Sequence, residues 1–305
     1  MKRKLIKQGK EGLTMYIPKK FIDKHNLVGG DELEVEELEN SLILSVETIK
    51  KKIKTTQLKL LYENEGYIRD YIIHLYVLGY TKITLYYNSP KEFEYIENSI
   101  NNYVLGFEIT QESKNFVVIE NILEVEQQKR EILLRRSYLL IEQMFTLILE
   151  EVKQNSFKSQ QKIIKISYGI EKYVNFLKRR VYQNRINENK SEMLYEFYGI
   201  FRNLSTSLKM MYLSLSNNNN NTIKYGYIKE FEHIFKNLEK SYFSNDLESL
   251  SKSGNFVSEK LIHFSQNISQ DIQRNEIQPF LYFNSFLVSL LSLHSKQNSV
   301  LLSSS

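Results

Sequence analysis

The chain has 305 residues, 42% hydrophobic and 25% charged, with 41 Lys and Arg against 36 Asp and Glu for a formal charge of +5. That length supports two or three domains around a substantial core, and so mild a charge permits an anionic partner without demanding one. Cys is absent, which excludes disulfides, a thiolate metal site and a cysteine nucleophile, and fits a reducing cytoplasm. No apolar leader follows Met1, and the most apolar late stretch, Phe280 to Leu293, is interrupted by Asn284, Ser285, Ser289 and Ser292. A membrane span needs roughly 20 apolar residues, so a cytoplasmic protein without membrane insertion is expected.

Residues 1 to about 48 read as a small strand-rich segment. A basic opening strand, Arg3-Lys4-Leu5-Ile6-Lys7, leads through Gly9 and Gly12 to Leu13-Thr14-Met15-Tyr16-Ile17-Pro18. Pro18 suits the first position of a short helix through Lys19-Lys20-Phe21-Ile22-Asp23-Lys24. Gly29-Gly30-Asp31 is a turn signal, because glycine adopts the positive φ that other residues resist. Leu33 and Val35 then alternate with Glu32, Glu34 and Glu36, a period of two with one acidic face, before a strand at Leu42-Ile43-Leu44. The segment is too short to bury a core alone, so it is expected to complete itself by dimerising. Its charge is divided: Lys2, Arg3, Lys4, Lys7, Lys10, Lys19, Lys20 and Lys24 come first, and the acids cluster after Gly30. Those lysines either meet phosphates, releasing counterions with a log–log salt slope of roughly 0.9 per contact, or merely keep a small β element soluble.

Residues 54 to 122 alternate between strand and helix, predicting a small α/β module. Strands are expected at Leu58–Tyr62, Lys82–Tyr87, Val104–Thr110 and Phe116–Ile119. One amphipathic helix carries Tyr67, Tyr71, Leu75 and Leu78 and stops at Gly79; another carries Phe93, Ile96 and Ile100 behind Ser89-Pro90. From 124 to 302 the apolar period is helical throughout. Stripes run through Leu134–Val152, Ile163–Val181 and Phe197–Leu215. After the tract Asn217–Asn221 they resume through Ile228–Tyr242, Leu247–Ile268 and Phe280–Leu290. Six stripes about a polar break predict two successive antiparallel three-helix units, each stripe a packing seam.

No catalytic pattern stands out: there is no Gly-rich phosphate loop, no His-Glu-x-x-His and no Gly-x-Ser-x-Gly. The five histidines lack metal-ligand spacing, and carboxylates such as Glu150 and Glu151 suit solvated helix faces. The chain is therefore not expected to be an enzyme, and no cofactor is expected.

Arg3 to Leu44 resembles the AbrB/MazE/SpoVT swapped-hairpin DNA-binding domains, through the basic first strand, Leu13-Thr14-x-x-Ile17-Pro18-Lys19-Lys20, and Leu27-x-x-Gly30-Asp31-Glu32-Leu33-Glu34-Val35. The remainder is similar to archaeal phosphate-uptake regulators of the PhoU type, through Tyr67-Ile68-Arg69-Asp70, Tyr76-x-x-Gly79-Tyr80-x-x-Ile83, Leu105-Gly106-Phe107-Glu108-Ile109 and the double three-helix pattern. The first resemblance implies a dimeric interlocked barrel, with Arg3, Lys4, Lys7, Lys10, Lys19 and Lys20 facing DNA. The second implies a regulator of phosphate uptake and homeostasis, with a transporter or signalling protein as a further partner. The rival reading is an adaptor that docks on a phosphate transporter or signalling kinase, its hairpin serving only to dimerise. PhoU bundles typically hold metal through acid-x-x-x-acid pairs. Here the matching positions are Ser205 and Lys209 on one helix, and Ser167 with only Glu171 retained on another. A protonated lysine cannot coordinate a divalent cation, so no metal is expected, and Lys209, Lys172 and Ser205 favour an anion instead.

Overall fold

A computed structural model describes residues 3–9, 12–38, 41–46, 54–122, 129–183, 191–216, 222–271 and 277–303. The chain divides into two compact units, Met1–Ile53 and Lys54–Ser305, so the expected α/β and helical regions share the second.

Short runs punctuated by glycine make the first unit a pair of hairpins. β1 (Ile6–Gln8) pairs antiparallel with β2 (Gly12–Thr14), Ile6 opposite Thr14. Gly9 takes a φ of 72°, and a Cβ at Gly12 would stand 2.7 Å from the Gln8 carbonyl oxygen, so both positions need glycine. Pro18 precedes α1 (Lys19–His25), which ends at Asn26 in the left-handed conformation. At the Gly30 turn the Val28 amide donates to Asp31 Oδ2 at 2.7 Å, and the Asp31 amide to the Val28 carbonyl at 3.1 Å. β3 (Glu34–Leu38) then pairs antiparallel with β4 (Ser41–Ser45). Among the described residues these are two separate two-stranded sheets, with no closed barrel in a single chain.

The second unit starts with β5 (Thr55–Lys59), α2 (Glu65–Val77), β6 (Lys82–Tyr86), α3 (Pro90–Tyr103), β7 (Phe107–Glu112) and β8 (Phe116–Asn121). Their sheet has the order β5-β6-β8-β7, with β5 and β6 parallel and the other pairs antiparallel. Two strands are shifted from their expected positions. β5 begins and ends three residues before the expected span, because the Asn64 side chain caps α2 by accepting from the Tyr67 amide at 2.9 Å. The chain must turn before that cap, which leaves Leu61 and Tyr62 exposed. β7 begins at Phe107 rather than Val104, because Gly106 sits at a φ of 82° and breaks the extended run. α3 starts where expected, with Ser89 Oγ accepting from the Glu92 amide at 3.1 Å. One sheet face, through Ile83, Leu85, Val117 and Ile119, shares a buried core with Ile68, Ile72, Tyr76, Ile96 and Ile100 of α2 and α3.

Six long helices follow among the described residues: α4 (Lys129–Gln154), α5 (Gln160–Gln183), α6 (Ser191–Ser216), α7 (Thr222–Phe243), α8 (Leu247–Asp271) and α9 (Ile277–Leu302). α4, α5 and α6 contact one another, as do α7, α8 and α9, and α4·α7 and α6·α9 contacts join the two sets. One continuous core runs through all six, including Tyr138, Phe145, Phe201, Phe235 and Phe286. The seams expected on α4, α5 and α6 are buried throughout. Leu247 is exposed, and Tyr242 is half-buried. The side chains of Leu261, Phe264, Ile268 and Phe280, and the tract Asn217–Asn221, lie outside the described set. No helix among the described residues is long and apolar enough to cross a membrane.

Candidate functional site

Two regions concentrate unusual side-chain placement. In the first unit no described residue is buried. Leu5, Leu13, Tyr16, Val28 and Leu42 are each more than 60% exposed, and Ile6, Met15 and Val35 are exposed beside them. A β element that leaves its apolar side chains in water forfeits the main driving force of folding. Arg3 and Lys4 lie ahead of β1, Lys7 within it, and Lys19 and Lys20 open α1; all five are exposed. Lys2 and Lys10 lie outside the described residues. α1 has no acidic residue in its first turn, so Lys19 and Lys20 face the positive end of the helix dipole. Charge placed there costs stability unless an anion is brought to it.

The second region is the junction of the α/β module with the bundle, built on α5. The apolar stripe of α5, Ile163 to Val181, faces the bundle core. Its opposite side is buried too, because α2 and α3 meet it there. Phe176 joins the α/β core, while three polar side chains reach the C-terminal turns of the two helices. Arg179 Nη1 donates to the Tyr76 carbonyl at the end of α2 and stacks on the Tyr76 and Phe107 rings, 4.7 and 5.4 Å from their centroids. Asn175 Nδ2 donates to the Tyr103 carbonyl at 2.9 Å, and Lys172 Nζ to the Asn101 carbonyl at 3.0 Å. Terminal helix carbonyls have no partner within their own helix, so α5 caps both helices from outside.

Between the two faces of α5 lies Glu171, with α6 alongside. Its carboxylate is 10% exposed, and Oε1 stands 2.8 Å from Arg202 Nε of α6. The geometry makes this an ion pair rather than a hydrogen bond, for buried Oε1 accepts from no donor. Burial pushes the Glu171 carboxyl above its ordinary value, against the pull of Arg202, Arg69 and Lys209. Arg69 of α2 bonds Asp70 at 3.0 Å and lies over the Tyr103 ring. Lys209 Nζ lies 5.8 Å from the Tyr168 ring centroid, and Lys178 Nζ 4.6 Å from that of Tyr195. Burial lowers both lysines, and Arg202 adds to the effect. A Cβ at Gly199 would meet Lys178 Nζ at 3.1 Å, so this glycine gives the ammonium its place.

Of the three residues expected to favour an anion, the structure brings only Lys209 to Glu171. Lys172 is committed to the Asn101 carbonyl, and Ser205, 1% exposed, gives its hydroxyl to the Arg202 carbonyl at 3.0 Å. Ser167 is equally buried. Sequence reading missed Arg69, Lys178 and Arg202. The available signal was that Glu171, Lys172, Asn175, Lys178 and Arg179 recur at helical spacing outside the apolar stripe. Among the described residues, no three His, Cys, Asp or Glu side chains gather as a metal site would require. Comparison with known protein families, curated proteins and solved structures finds no match to this chain.

Proposed function

We propose that the chain is a homodimeric DNA-binding regulator of phosphate uptake and homeostasis, acting in the cytoplasm. In this reading two copies of the first unit interlock into an AbrB-like swapped-hairpin barrel, and the second unit is a PhoU-like sensing or partner-binding region. The observation that carries the reading is a first unit with no buried residue among those described and at least five strongly exposed apolar side chains. A second copy supplies the missing core, and its charge suits the fit, since the basic first hairpin and acidic second hairpin complement their counterparts. Dimerisation doubles the set Arg3, Lys4, Lys7, Lys19 and Lys20, giving a duplex backbone ten cations to meet. The metal chemistry of PhoU bundles does not fit, because the one retained carboxylate, Glu171, faces cations. Signal transfer then requires a ligand that prefers one bundle conformation over another.

Sedimentation and DNA-shift titrations at several salt concentrations test this directly. The full chain is expected to sediment as a dimer at micromolar concentration and to bind duplex DNA with steep salt dependence. Lys19→Ala/Lys20→Ala is expected to flatten the log–log slope by about 0.9 for each phosphate that is no longer neutralised. A dimer that shifts no DNA at low salt selects the adaptor reading, and a monomer overturns both.

A further inference from the structure

We propose that the outer side of α9 forms an antiparallel two-helix seam with α9 of a second copy. Two sides of this helix carry large apolar residues. The inner one, with Phe283, Phe286, Leu290 and Leu293, is fully buried in the bundle core. On the outer one Leu281, Val288 and Leu302 are 60%, 48% and 61% exposed. With exposed Ser295 they stand on a seven-residue repeat, and Ser285, Ser292 and Ser299 fall between them at steps of four and three. Such a heptad row, about 31 Å long at ~1.5 Å per residue, is the spacing of one helix packed along another.

The row is also fit for burial. Between Ile277 and Leu302 the one Asp, Glu, Lys or Arg is Lys296, which is ion-paired with Glu196 of α6. The exposed sides of α4, α5, α7 and α8, by contrast, carry charges such as Glu131, Lys162, Lys240 and Lys252, and depletion of charge marks the core of an interface. Three serine hydroxyls of the row need no water. Ser292 and Ser299 donate to the Val288 and Ser295 carbonyls at 2.9 and 3.1 Å, and Ser285 pairs with Ser207 of α6 at 3.0 Å. Size decides the occupant. A row of that length and roughly 10 Å wide buries roughly 600 Å² over both partners, short of the ~1,000 Å² that a free partner needs. A second copy held through the first unit comes at roughly millimolar effective concentration, where so small a contact closes; this choice rests on the dimeric reading above. Antiparallel pairing sets Leu281 on Leu302 of the second copy at both ends and Val288 on its Ser295, so large meets small in the middle. Parallel pairing would set Ser295 on Ser295 and leave a gap.

The chain has no cysteine of its own, so introduced thiols report the seam in the full protein. Leu281→Cys/Leu302→Cys places its two thiols about 31 Å apart within one chain, too far to bridge, but against each other across the seam. Mild oxidation at micromolar concentration is expected to give at least ten times more covalent dimer than either single variant, or than Ser251→Cys on the exposed side of α8. Adding Val288→Arg to the pair is expected to remove that excess while circular dichroism stays unchanged. No excess over the α8 control overturns the seam, and Leu281→Cys alone matching the pair overturns its antiparallel direction. A wild type that sediments as a dimer while the pair fails to crosslink loses the seam and keeps the regulator reading. Crosslinking in a chain that shifts no DNA keeps the seam and loses that reading.

Discussion

Gly254 offers a test in which an ordinary helix rule should fail with a change of sign. It lies inside α8, and the His294 ring of α9 covers it. A Cβ there would stand 2.0 Å from His294 Cε1, 2.1 Å from Nε2 and 2.5 Å from Nδ1. In an open helix, glycine to alanine gains roughly 1 kcal/mol. Here the ring would have to withdraw by about 1.4 Å to restore an ordinary 3.4 Å contact. Its freedom to do so is limited, because its Nε2 is hydrogen-bonded to Asn298 Nδ2 at 2.9 Å. Forcing such overpacking costs about 1–3 kcal/mol. Gly254→Ala is therefore expected to destabilise the chain by up to about 2 kcal/mol net, from the overpacking cost less the helix gain. In a His294→Ala background the ring is gone, and the same substitution is expected to recover its stabilisation of roughly 1 kcal/mol. Urea unfolding of all four chains closes a double-mutant cycle with an expected coupling of about 1–3 kcal/mol. A Gly254→Ala chain more stable than the wild type, or a cycle without coupling, refutes the contact and the reasoning.

Two other side-chain placements make predictions of the same kind. Burial, with the Glu142 carboxyl of α4 beside it, pushes the Glu239 carboxyl up to about 7, against the pull of Arg135 and Lys236. Between the ordinary carboxylate value and 7 the folded chain holds a proton that the unfolded chain has released. Stability should then fall as pH rises through that window and level off above it. Glu239→Gln is expected to shrink the drop in melting temperature between pH 5 and pH 7.5, and an undiminished drop would count against the assignment. In the bundle core, Tyr138 Oη accepts from Gln297 Nε2 at 2.7 Å, with both residues fully buried. Tyr138→Phe is expected to cost about 1–2 kcal/mol in urea unfolding, since Gln297 keeps its second bond, to the Leu238 carbonyl. A change below a few tenths would mean that the phenol contributes only its ring.

What could be read from the residues in order was local. Ser89-Pro90 announces the start of α3, and the Ser89 side chain caps it by accepting from the Glu92 amide. The seams of α4, α5 and α6 follow from apolar spacing, because a helix returns a side chain to the same face every 3.6 residues whatever surrounds it. Where a strand lay next to a stronger local signal, the period misled. Leu61 and Tyr62 alternate like a strand, yet Asn64 needs the chain to turn ahead of α2. The candidate site was half legible. Glu171 and Lys209 stand out by their positions, whereas Arg69 lies far upstream and reaches Glu171 only because α2 meets α5.

By itself the sequence determined the kinds of elements, their order, the turn at Gly30, and a first segment too short to bury a core alone. Tertiary structure alone decided that α5 has two buried faces and that its Arg179 and Asn175 cap α2 and α3, two helices from much earlier in the chain. It alone decided, too, that His294 occupies the space a side chain at Gly254 would need. Periodicity is a property of each segment's own backbone and survives in the string of residues. The partner of a polar group is set by how distant elements approach, and the spacing of residues along one chain holds no record of that approach.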